Sequence, residues 1–77
     1  MKWGRLERFL IRHGYEISSR GGDKIIKAPK DANPNRRRQQ LYIGHTSTAH
    51  KGTELLKVYV SKLRNLFGIT EDDVDKE

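Results

Sequence analysis

His45 and His50 flank a polar stretch that also holds Thr46, Ser47 and Thr48. Histidine exchanges protons near neutral pH, so either ring has the chemistry of a general base or acid. The plainer role is a loop-anchoring hydrogen bond for His45, simple exposure for His50 and a helix-end position for His13. Asp23 adds a carboxylate directly after Gly21 and Gly22. The densest positive feature is Arg36-Arg37-Arg38. Three guanidiniums on a loop can fork hydrogen bonds to phosphate oxygens without reading a base sequence; the plainer reading is a solvated loop that aids solubility. Arg20, Lys24 and Lys27 extend this basic surface, although strand alternation places Lys24 and Lys27 on opposite faces.

Other chemistries find no support. The chain has no cysteine, which removes disulfides, Cys-type zinc sites and a thiol nucleophile. The two loop histidines lack a third ligand at a metal-binding spacing, and no cofactor motif is present. Ser18 to Asp23 is glycine-rich but lacks the spacing and terminal lysine of a phosphate-binding P-loop. It reads as a hairpin turn whose backbone amides can also approach a phosphate. Trp3 and Tyr59 fall on packing faces, while Tyr42 points away from its strand's apolar face and is open to a partner.

Seventy-seven residues suffice for one small domain with a modest core. Sixteen basic against ten acidic side chains give +6, unevenly spread. Residues 1–40 carry eleven basic and four acidic groups (+7), and residues 41–77 carry five and six (−1). The last seven residues contribute −4, leaving +10 on residues 1–70. Such a balance favours acidic partners. The acidic end masks a basic face, competes with nucleic acid or, most simply, is a solvated terminus. The longest apolar run, Phe9 to Ile11, is far too short to span a membrane, and charges interrupt any leader-like core. A cytoplasmic protein without membrane contact is expected.

The elements that must position these residues follow from periodicity. Lys2 to His13 reads as a helix with Trp3, Leu6, Phe9, Leu10 and His13 on one stripe, ended by Gly14. Tyr15 to Ser18 and Lys24 to Ala28 read as a hairpin, stopped by Pro29. Residues 29–38 form a polar loop, and Gln39 to Ile43 a third strand. Gly44 to Gly52 is a connection, after which Thr53 is the expected cap of a second helix with Leu55, Leu56, Tyr59, Leu63, Leu66 and Phe67 on its stripe. Gly68 ends that helix, and Thr70 with Asp73 suggests one further turn. The fold class is therefore α+β, in the order α-β-β-β-α, with a three-stranded antiparallel sheet packed on two helices. Residues 1–70 make the single domain, and 71–77 an acidic tail or short helical turn.

Several stretches resemble the HicA family of toxin–antitoxin systems. They are Leu10-Ile11-Arg12-His13-Gly14-Tyr15, Arg20-Gly21-Gly22-Asp23-Lys24-Ile25-Ile26, Tyr42-Ile43-Gly44-His45, Lys51 to Val58, and Leu66 to Asp72. The resemblance implies a fold like that of double-stranded-RNA-binding domains, cleavage of messenger RNA and neutralisation by a HicB-like antitoxin. In that family a catalytic histidine follows the glycine turn, where this chain has Asp23; His45 matches the later histidine. Asp23 and His45 are thus the catalytic candidates, and Arg20, Lys24, Lys27 and Arg36 to Arg38 the RNA-binding ones. Because Asp23 stands in the histidine's place, two alternatives stay open: an RNA-binding module without catalysis, and a protein-interaction domain that docks an acidic partner.

Overall fold

The computed structural model describes residues 1–29 and 39–76. Its elements run α1 (Trp3–Arg12), β1 (Glu16–Arg20), β2 (Asp23–Lys27), β3 (Gln40–Ile43), α2 (His45–Thr48), α3 (Lys57–Phe67) and α4 (Glu71–Asp75). The three strands form one antiparallel sheet in the order β1-β2-β3, packed against helices. The α+β class and the strand count are as the periodicity predicts. The helix order is not: α-β-β-β-α-α-α replaces the expected α-β-β-β-α.

Register sets the faces of the sheet. Ile17 pairs with Ile26 and Ile26 with Leu41, so these three share one face with Ile43. Ile26, Leu41 and Ile43 join Trp3, Leu6, Phe9 and Leu10 of α1 and Leu63 of α3 in the core. On the opposite face Ile25 pairs with Tyr42; Ile25 is buried outside the main core, and Tyr42 is exposed. Both consecutive isoleucines are therefore covered.

The glycine at each turn answers a geometric need. Gly14 ends α1 at φ +82°, with Tyr15 N–H donating to the Leu10 carbonyl (2.9 Å) and Gly14 N–H to that of Ile11 (3.3 Å), a Schellman arrangement. Gly21 (φ +59°) and Gly22 (φ +92°) join β1 to β2 in a two-residue loop. Positive φ at both positions is what a type I′ hairpin turn requires.

Thr53 does not cap a helix. The first N–H groups of α1 have no partner within the helix, and Lys2 offers no capping side chain. Backbone carbonyls fill the role instead: Trp3 N–H donates to Thr53 (2.9 Å) and Gly4 N–H to Lys51 (2.8 Å), while Leu55 N–H donates to Met1 (2.9 Å). Residues 53–56 are thereby held extended, in a bridge between Lys2 and Glu54. α3 begins only at Lys57, with Leu56 at its N-cap and no capping side chain. Leu55 is buried as expected, but Leu56 is 58% exposed.

Residues 71–75 of the acidic end form a helix. Thr70 and Asp73 form a reciprocal capping box, and Val74, 1% exposed, enters the core as α4 packs on α1. One apolar residue among seven gives no periodic pattern, which is why a solvated terminus is the simpler sequence reading.

Candidate functional site

Asp23 is the first residue of β2, set on the outer face by the two-glycine turn and paired across it with Arg20. His45 opens α2, the one-turn helix that occupies part of the expected connection. The fold brings them together although 22 residues separate them. Asp23 Oδ1 accepts the His45 backbone N–H at 3.0 Å and lies 3.6 Å from the ring's Nδ1. Asp23 thus supplies from another strand the first-turn acceptor that α2 lacks at Gly44, its N-cap.

Packing fixes the spacing. A Cβ on Gly22 would stand 3.4 Å from His45 Cβ, an ordinary contact, so α2 packs directly on the turn and it is the positive φ of Gly22 that calls for glycine. From the other side, Gly44 N–H donates to the Tyr59 hydroxyl at 3.1 Å. Tyr59 was marked by the sequence for its apolar ring; its partly buried hydroxyl also anchors the start of α2 to α3. Nothing in the sequence announces this bond, because it joins residues 15 apart on two different elements. Ser47 and Thr48 are buried, and the Thr48 hydroxyl has no hydrogen-bond partner among the described residues.

The site is open to solvent, with the side chains of His45 and Asp23 exposed by 69% and 48%. The imidazole lies beside a carboxylate and is open to solvent, where a ring nitrogen can exchange a proton. His50 is exposed, and His13, at the end of α1, stacks on Phe9 with ring centroids 4.1 Å apart. Among the described residues no group of three or more histidine or acidic side chains is placed to hold a metal ion.

The basic candidates divide. Arg20 and Lys27 share the outer sheet face with Asp23, Arg20 directly opposite it. Lys24 lies on the other face, where its ammonium donates to Ser19 Oγ at 2.7 Å. Alternation had predicted this separation of Lys24 from Lys27. Arg36, Arg37 and Arg38 lie outside the described residues. Among the described residues no helix is long and apolar enough to cross a membrane. No family model, curated protein or solved structure matches the chain.

Proposed function

We propose that this protein is a HicA-like RNA endonuclease, with a fold like that of double-stranded-RNA-binding domains and a HicB-like antitoxin as its protein partner. The observation that carries the reading is the meeting of Asp23 and His45. They are the two residues that the family resemblance and the proton chemistry single out, and an arginine stands across the turn from them.

The chemistry is an intramolecular displacement. His45 Nε2 takes the proton of a ribose 2′-hydroxyl, and the 2′ oxygen forms a bond to the adjacent phosphorus. The bond to the 5′ oxygen breaks, and that oxygen takes a proton from a water molecule, which the open site admits and whose hydroxide takes the proton back from His45. A 2′,3′-cyclic phosphate and a 5′-hydroxyl end result. Arg20 supports the charge that builds on the phosphoryl oxygens. Asp23 holds the His45 backbone in position and keeps a carboxylate 3.6 Å from Nδ1.

Several labelled unpaired RNAs, incubated with the protein with and without EDTA, test the proposal. Cleavage that persists in EDTA, leaves cyclic phosphate ends and disappears in His45→Ala is expected. EDTA-sensitive cleavage would redirect the mechanism to a metal held at Asp23. Salt-sensitive binding without cleavage would leave a non-catalytic RNA-binding module.

A further inference from the structure

α1 turns a row of cations outward. Arg5, Arg8 and Arg12 recur at intervals of three and four residues, which places them on one stripe with steps of about 4.5 and 6 Å along the axis. Together with Lys2, and with Lys51 on the facing segment, they line an open groove of about 520 Å³. Glu7 is the single acid among its lining residues, and Ile11, 64% exposed, is the apolar side chain it presents.

The second wall is held in place by the backbone. Gly4 N–H donates to the Lys51 carbonyl at 2.8 Å, and a Cβ on Gly4 would come within 2.8 Å of Lys51 Cβ. The fold thus presses a lysine-bearing segment against a helix already lined with arginine. The cations of both walls thereby line one groove, a field that favours a polyanion. On the other flank Arg5 stands 3.6 Å from Asp75, an exposed pair that an incoming anion can displace.

We infer that this groove holds the ribose–phosphate backbone of an unpaired RNA strand. The inference rests on the RNA reading above and locates where the strand is gripped away from the Asp23–His45 pair. Cations on both walls suit a thin, continuously charged chain that threads between them, and the arginines can fork to successive phosphates. An acidic protein helix fits less well, because protein hot spots need buried apolar anchors and Ile11 is a single exposed one. A lipid surface fits least: it needs an outward apolar face, and Trp3, Leu6, Phe9 and Leu10 of α1 are buried.

Fluorescence anisotropy with a short labelled unpaired RNA over a series of salt concentrations tests it on the full chain. Arg8→Gln with Lys51→Gln should weaken binding about tenfold and reduce the slope of log affinity against log salt by about 1.4, at 0.7 per lost phosphate contact. Lys62→Gln with Arg64→Gln removes the same charge from exposed positions of α3 and should cost much less. Arg8→Lys with Lys51→Arg should restore affinity, which separates lost charge from lost fold. Equal losses in the two neutralised pairs would overturn the groove in favour of a diffuse field. Unchanged affinity in the groove pair, with RNA still bound and cleaved by the unaltered protein, would remove the groove and leave the endonuclease reading standing. Tighter binding of duplex RNA, or competition by polyglutamate at lower concentration than RNA, would overturn the occupant. No RNA binding by the unaltered protein would end both readings.

Discussion

Asp23 holds His45 by its backbone while standing beside its ring: one carboxylate oxygen is 3.0 Å from the amide nitrogen and 3.6 Å from Nδ1. The same residue therefore has a structural role, capping α2, and an electrostatic one, and substitution can separate them. Asp23→Asn keeps an oxygen for the amide but loses the charge. Its stability should stay within about 0.5 kcal/mol of the unaltered protein, while RNA cleavage falls. Asp23→Ala loses both and should cost about 1 kcal/mol, the usual penalty for a lost N-cap. Urea melts beside cleavage rates check the split; equal effects of the two variants on both readouts would sink it.

Gly4 is unusual among helix residues because an alanine there has two opposed effects. Alanine favours helix over glycine by about 1 kcal/mol in an exposed position. Here its Cβ would meet Lys51 Cβ at 2.8 Å and the Lys51 carbonyl at 2.9 Å, and backbone cannot swing aside as a side-chain tip can. The clash should dominate. Gly4→Ala is expected to destabilise the fold by about 1–3 kcal/mol, the range for overpacked sites. A thermal melt unchanged or raised by the substitution would show that the segment at Lys51 yields without cost.

These two contacts show where sequence reasoning reaches and where it stops. The strands, the glycine turns, the left-handed caps at Gly14 and Gly68 and the α1 stripe all depend on residues close in the chain, and local spacing carries them. The start of α3 depends on Trp3 and Gly4 needing acceptors some fifty residues away, which outweighs the local helix signal of Thr53. Likewise, Asp23 and His45 can each be picked out by type and place, but their contact joins β2 to α2 across 22 residues, which local spacing does not carry. The arginine row of α1 is visible as the polar side of a helix. That it faces Lys51 is not, because the lysine is brought there by the backbone bonds of Gly4 to Lys51 and of Trp3 to Thr53.

The capping box of α4 makes its docking sensitive to acid. Asp73 is held below the ordinary carboxylate range, chiefly by the hydrogen bond from the Thr70 backbone N–H and then by the Thr70 hydroxyl, with smaller help from Lys76 and His13. A depressed folded value means that the ionised form is favoured in the native state. Its stabilisation is complete above the ordinary carboxylate value and is lost as pH falls through Asp73's own lower value. The protection of the Val74 amide relative to its intrinsic exchange rate should fall across that acid window while the sheet amides stay protected. In Asp73→Asn this step should vanish. An acid response of Val74 identical in both proteins would assign it to other groups.

Thr48 offers a test in the stabilising direction. Its hydroxyl is buried without a hydrogen-bond partner among the described residues, in the short helix that carries His45. An unsatisfied buried hydroxyl costs about 1–3 kcal/mol, and replacing it with an apolar group of the same shape removes that cost. Valine has that shape and keeps the branch at Cβ, so the rotamer preference changes little. Thr48→Val should therefore raise stability by about 1 kcal/mol in urea melts, with the Asp23–His45 contact and RNA cleavage preserved. A loss of stability would show that the hydroxyl has a bonding partner in the folded protein, and a loss of cleavage at unchanged stability would place that partner in the reaction itself.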